Sequence, residues 1–203
     1  MRMIKAVLFD YGNVLSHPGE PGRIAENPNL KNLEANSFCN AYWHGREDYD
    51  RGSVDAAHYW SQVGRKLERN FSTMEVEHLV AGDIAVWSIL NADMLEWVSH
   101  LKKNGITIGL ISNMPLELTL SIRKELWIAD FDHCTFSCEI GLVKPHRSIY
   151  EHSLSNLGLK GTESLFIDDR KENIDAAAEL GIHGHLFTNY DNLMKSAKEL
   201  NLP

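Results

Sequence analysis

Four short polar clusters punctuate this 203-residue chain; three stand where an apolar run stops and the fourth follows a weaker run. Asp10 closes the run Ala6-Val7-Leu8-Phe9, with Gly12 two places on. Ser112-Asn113 closes the run from Ile106 to Ile111, and Asp168-Asp169 closes the run from Ser164 to Ile167. Lys144-Pro145 follows a weaker run from Cys134 to Ser137. Carboxylates are hard oxygen ligands for a cation such as Mg²⁺, and a positioned carboxylate is also a nucleophile that can form a covalent intermediate. A lysine offsets negative charge, and a hydroxyl and an amide can hold anionic oxygens near the start of a helix. Each cluster alone has a plainer reading. Asp10 before Gly12 fits a strand-end turn, Asp168-Asp169 and Ser112 fit helix caps, and Lys144 fits a solvated surface lysine. Together, each at the same end of its run, they fit one site.

Such a site requires strands whose carboxyl ends meet. The apolar runs are short and continuous, as in strands buried on both faces of a parallel sheet. A further weak strand candidate is His185 to Phe187. Helical stripes alternate with the strands: Met94, Leu95, Val98 and Leu101 before Gly105; Ile149, Leu154 and Leu157 before Gly158; Ile174, Ala177, Ala178 and Leu180 before Gly181. The alternation predicts an α/β fold with a doubly wound parallel sheet, whose ligands bind at the carboxyl edge of the strands. Residues 16–87 break the rhythm. They are rich in Trp, Tyr, His and charge, and Val54, Ala57, Tyr59 or Trp60, Val63 and Leu67 fall at helical spacing. The expected organisation is a core domain of residues 1–15 and 88–203 with a small helical domain of residues 16–87 inserted after the first strand.

Composition bounds the function. Hydrophobic residues make up 43% and charged residues 24%, enough for a real core. The net charge of −8 disfavours broad binding to nucleic acid or to an anionic membrane, while leaving room for one local phosphate site. Cys39, Cys134 and Cys138 form no metal-type pairing and read as free thiols. No signal peptide or membrane span is visible, so the expectation is a cytoplasmic protein. The ten histidines lack the spacing of a zinc site.

The clusters also carry a resemblance. Phe9-Asp10-Tyr11-Gly12-Asn13-Val14, Ile111-Ser112-Asn113, Gly141-Leu142-Val143-Lys144-Pro145, and Phe166-Ile167-Asp168-Asp169 with Asn173 resemble, in order, the four motifs of the haloacid dehalogenase (HAD) superfamily. Tyr49-Asp50-Arg51-Gly52-Ser53-Val54 resembles a stretch common in the helical caps of that family. The resemblance covers essentially the whole chain and is nearest to sugar-phosphate phosphatases, notably those acting on glucose 1-phosphate. It implies a HAD-like Rossmannoid core and a Mg²⁺-dependent phosphatase acting on a small phosphorylated metabolite, as a monomer or homodimer. Asp10 would attack the phosphorus and become transiently phosphorylated. Asp10, Asp169, Asp168 and the Gly12 carbonyl would hold the metal, with Asp169 the more direct ligand and Asp168 behind it. Lys144 would neutralise charge on Asp10 and the phosphate. Ser112, Asn113, Tyr11 and Gly12 would bind the phosphate end of the substrate, Trp43 and His44 the rest, and Asn173 would brace the Asp168-Asp169 loop.

One position departs from the pattern. Most phosphatases of this family carry a second Asp two places after the nucleophile, where it protonates the leaving group; here that place is Gly12. General acid–base help is worth about 10²–10⁴-fold. His44 or His58 could substitute, the leaving group could need little protonation, or turnover could be slow; the subgroup it resembles includes members with Gly there. Three rivals are a 2-haloacid dehalogenase, which needs no metal and can lack the carboxylate pair; a phosphonate-cleaving enzyme using a cap lysine, for which Lys31 and Lys66 are the available residues; and a non-catalytic phospho-ligand-binding protein.

Overall fold

The computed structural model describes residues 4–30 and 33–203; Lys31 lies outside them. In chain order the elements are β1 (Ala6–Phe9), α1 (Ala35–Trp43), α2 (Arg46–Asp50), α3 (Ala56–Lys66), α4 (Thr73–Trp87), α5 (Ala92–Lys103), β2 (Thr107–Ser112), α6 (Leu116–Ile122), β3 (His133–Phe136), α7 (Ser137–Ile140), α8 (Arg147–Leu157), β4 (Ser164–Asp168), α9 (Lys171–Ala178), β5 (His183–Leu186) and α10 (Tyr190–Glu199). The five strands form one sheet in the order β3-β2-β1-β4-β5, and every pairing is parallel. The expected α/β doubly wound sheet is therefore what the chain builds. The predicted strand bounds shift by one or two residues, because polar residues such as Ser112 and Asp168 still complete the ladder.

Alternation along the strands feeds two cores. Val7, Phe9, Ile108, Leu110, Leu165 and Ile167 face Trp97, Val98 and Leu101 of α5 and Leu193 and Ala197 of α10. Leu8, Ile111 and Phe166 face Ile149, Tyr150 and Leu154 of α8 and Ala177 of α9. All three residues named on each central strand are buried, which is why these runs read as continuous rather than alternating. The helix stops fall as expected; Gly158 ends α8 in the left-handed conformation at φ 67°.

Helices α1–α4 gather a third, separate cluster around Phe38, Tyr42, Tyr59, Trp60, Val63 and Leu79. The chain enters and leaves this insertion through two crossing segments. Ser16 bridges Leu90, His17 N donates to the Ile89 carbonyl at 2.7 Å, and Asn91 N donates to the Leu15 carbonyl at 2.9 Å. No helix among the described residues is long and apolar enough to cross a membrane. Cys39, Cys134 and Cys138 are free.

Candidate active site

β1 and β4 are neighbours in register, and Asp10 N extends their ladder by donating to the Ile167 carbonyl at 2.9 Å. The two strands therefore deliver Asp10 and Asp168-Asp169 to one end of the sheet. Carboxylate oxygens of Asp10, Asp168 and Asp169 lie within 4.8 Å of one another. Lys144 Nζ sits between two of them, 2.7 Å from Asp10 Oδ1 and 2.7 Å from Asp168 Oδ2. Both partners are buried, so these ion pairs act in a weakly screened environment.

Asp168 is fully enclosed. Besides Lys144 it accepts from Arg170 N at 2.8 Å and from Asn173 Nδ2 at 2.9 and 3.0 Å, so Asn173 does brace this loop. Asp169 is half-buried and accepts from Asn13 Nδ2 at 2.7 Å. Asn13 is in the left-handed region at φ 60°, a conformation Asn tolerates better than most residues; this places its amide against Asp169. Asn13 was part of the first motif but had no expected role, and its tolerance of positive φ was the signal that could have supplied one.

Charge is out of balance. One ammonium faces three carboxylates. Burial raises the Asp10 carboxyl to about 7; Lys144 pulls it down, and Asp168 and Asp169 push it up. For Lys144 burial would favour the neutral form, but Asp10 and Asp168 outweigh it and raise its pKa. A cluster with this surplus of negative charge, three carboxylates of which one is accessible, and a buried Asn13 Oδ1 without a hydrogen-bond partner suits a hard divalent cation.

The remaining predicted residues divide. Asp10, Tyr11, Gly12, Ser112, Asn113, Lys144 and Asp169 all line one cavity of about 330 Å³. The Asn113 side chain is occupied: its Nδ2 donates to the Lys144 carbonyl at 2.9 Å and its Oδ1 accepts from Lys144 N at 2.8 Å. It fastens the lysine's backbone to the end of β2, leaving its own main-chain N–H for a ligand. Tyr11 lines the cavity while its hydroxyl donates to the Trp87 carbonyl at 2.7 Å. Trp43, 55% exposed, also lines the cavity. His44 and His58 are exposed and do not line it. His44 caps the end of α1, one residue beyond Trp43, and the change of backbone direction there carries it away. Lys66 is exposed near the end of α3 and does not line it either.

Four residues of the insertion enter the cavity that sequence reasoning did not single out: Arg46, Glu47, Asp50 and Trp87. Asp50 lies in the stretch that carries the cap resemblance. Arg46, Glu47 and Trp87 had no comparable signal, because their placement depends on how α2 and α4 fold over the strand ends.

Comparison with known proteins agrees with this architecture. The chain aligns with a HAD-family enzyme from Bacteroides thetaiotaomicron at TM-score 0.76 and 20% identity, covering 95% of this chain and 99% of that one. The same enzyme in complex with magnesium and inorganic phosphate aligns at TM-score 0.71 and 19% identity, covering 94% and 98%. Among sequence relatives, a sesquiterpene phosphatase of Aspergillus oryzae is 26% identical over 89% of this chain and 88% of its own length. Acyl-CoA dehydrogenase family member 10 of Mus musculus is 25% identical over 90% of this chain, which spans only 18% of that protein. The model of the haloacid dehalogenase-like hydrolases matches residues 4–181, and the chain belongs to that family.

Proposed function

We propose that this protein is a Mg²⁺-dependent phosphatase that hydrolyses a small phosphate monoester through an aspartyl-phosphate on Asp10, with helices α1–α4 (residues 16–87 with their flanks) acting as a cap over the core. The observation that carries this reading is the buried Asp10 carboxylate at the tip of β1, 2.7 Å from Lys144 and grouped with Asp168 and Asp169. The phosphatase name of a relative aligned over most of both chains supports it, as does the magnesium and phosphate bound by a structural neighbour. A sugar phosphate is the substrate class that the sequence resemblance favours.

The cation would be held by Asp10, Asp169 and the Gly12 carbonyl, with Asp168 behind them. When bound it neutralises phosphate and carboxylate charge, so that an anionic nucleophile can approach an anionic substrate. The chain's own groups do the rest. Lys144 favours the ionised form of Asp10 and aims it, and Asp168 holds Lys144. Ser112 and the main chain of Asn113 receive phosphate oxygens at the end of β2. Asp10 Oδ attacks phosphorus, the ester oxygen leaves, and water then hydrolyses the acyl phosphate. The carboxylate pair Asp168-Asp169 weighs against the dehalogenase reading, whose chemistry expels halide without a metal.

Asp10→Asn should abolish Mg²⁺-dependent turnover of p-nitrophenyl phosphate and acid-stable labelling of the protein by substrate phosphate, with circular dichroism unchanged. Near-normal turnover by this variant would remove Asp10 as nucleophile. Halide release from 2-chloropropionate without metal would move the assignment to a dehalogenase.

A further inference from the structure

The place of the usual acid is crowded. A Cβ at Gly12 would stand 3.3 Å from the Trp87 ring, so a side chain there would press against an indole. That indole is held by its Nε1, which donates to Tyr42 Oη at 2.9 Å. The two histidines that could have substituted lie outside the cavity. The insertion brings two carboxylates to the cavity instead, Glu47 and Asp50. Glu47 is exposed and paired with Arg51. Asp50 is different: its side chain is 14% exposed, and Arg46 Nε holds Oδ1 at 2.7 Å, leaving Oδ2 outside that bond.

Asp50 is also seated on the core. Its carbonyl accepts from Ser137 Oγ, and the same Oγ accepts from Met114 N at 3.0 Å, one residue beyond the Ser112-Asn113 end of β2. Tyr49 Oη donates to Glu117 Oε2 at 2.8 Å. At Gly52, φ 77°, a Cβ would meet the Cys138 carbonyl at 2.6 Å, so only glycine allows this close approach. The segment that carries Asp50 is therefore fixed against the phosphate end of the cavity.

We propose that Asp50 is the proton donor to the leaving group, replacing the acid absent at Gly12. This rests on the phosphatase reading above. In the first step Asp10 Oδ bonds to phosphorus, the P–O bond to the leaving group breaks, and the Asp50 proton passes to the departing oxygen, giving an alcohol and the Asp50 carboxylate. In the second step that carboxylate takes a proton from water as the water oxygen bonds to phosphorus, and the Asp10–phosphorus bond breaks. The environment suits a group that must cycle. Burial raises the Asp50 carboxyl to about 6; Arg46 opposes this, while Asp83 and Glu47 add to it.

The test is kcat/KM with Mg²⁺ on p-nitrophenyl phosphate, whose leaving group needs little protonation, and on phenyl phosphate, whose leaving group needs more. The wild-type protein should hydrolyse both within about tenfold of each other, and Asp50→Asn should lose about 10²-fold on phenyl phosphate but under tenfold on p-nitrophenyl phosphate. Glu47→Gln should show no selective loss on phenyl phosphate relative to p-nitrophenyl phosphate. An equal loss on both substrates in Asp50→Asn, or the selective loss in Glu47→Gln, would overturn the proposal. Should Asp50→Asn fail to fold, the wild-type ratio decides: a steep fall from p-nitrophenyl to phenyl phosphate means that no acid acts. Absence of Mg²⁺-dependent turnover on either substrate would overturn the phosphatase reading itself, and this proposal with it.

Discussion

At the end of the sheet three carboxylates gather around one ammonium group that pairs with two of them, and burial, with their repulsion added, sets how Asp10 responds to pH and metal. The Asp10 carboxyl, raised to about 7 in the fold, binds its proton more tightly folded than unfolded. Its contribution to stability is therefore fully present below the unfolded value and is lost as pH rises from about 4 towards 7. His133 and His185, whose pKa values burial lowers below the usual histidine range, work the other way, so the bare melting temperature is a mixed signal. The metal-induced shift is cleaner, because a cation and a proton compete for Asp10. Added Mg²⁺ should raise the melting temperature more at pH 8 than at pH 5, and Asp10→Asn should flatten that difference. Differential scanning fluorimetry across pH checks this; an equal shift at both pH values would place the cation elsewhere.

Between elements, the chemistry depends on clamps rather than on single contacts. Lys144 lies in the turn between α7 and α8, far along the chain from β1, and the reciprocal pair of hydrogen bonds from Asn113 ties its backbone to β2. Asn113→Ala removes both bonds. The expected cost is about 1–3 kcal/mol of stability, from buried backbone groups left unpaired, and on the order of 10²-fold in kcat/KM as Lys144 drifts from Asp10. Urea denaturation and steady-state kinetics measure the two effects. Loss of stability without loss of kcat/KM would show that Lys144 is held by its carboxylates alone.

For the molecule as a whole, the insertion is built around a buried charge. Arg46 Nη1 meets Asp83 at 2.9 and 3.0 Å and also contacts Tyr42 Oη, while Nε holds Asp50. The Tyr42, Tyr49 and Tyr59 rings surround the guanidinium at 4.7, 5.4 and 5.8 Å. Arg46→Met would leave two buried carboxylates facing each other and should cost about 3–5 kcal/mol at pH 7 or above. The loss should shrink at pH 5, where Asp50, whose carboxyl burial raises to about 6, takes up a proton. Chemical denaturation at both pH values tests this, and a pH-independent loss would mean that packing against the tyrosines, and not charge, is what Arg46 supplies.

The fold and the catalytic end of the sheet were legible in the chain because both are written locally. Apolar runs such as Ala6 to Phe9, bounded by turn residues and alternating with helical stripes, fit strands buried on both faces, and the residues that end or follow the runs then stand at the carboxyl edge. Asp10, Ser112, Lys144 and Asp168-Asp169 could therefore be named before any coordinates. Of the insertion's share only Trp43 could. Trp43 and His44 are neighbours in sequence, yet one lines the cavity and the other faces solvent, because Tyr42 buries into the cluster of α1–α4 and sets the direction in which the chain leaves α1. Arg46, Asp50 and Trp87 reach the cavity only through the seating of that cluster on Ser137, Glu117 and the two crossing segments at Ser16 and Leu90. Such placement is a sum of long-range contacts, and no periodicity along the chain encodes it.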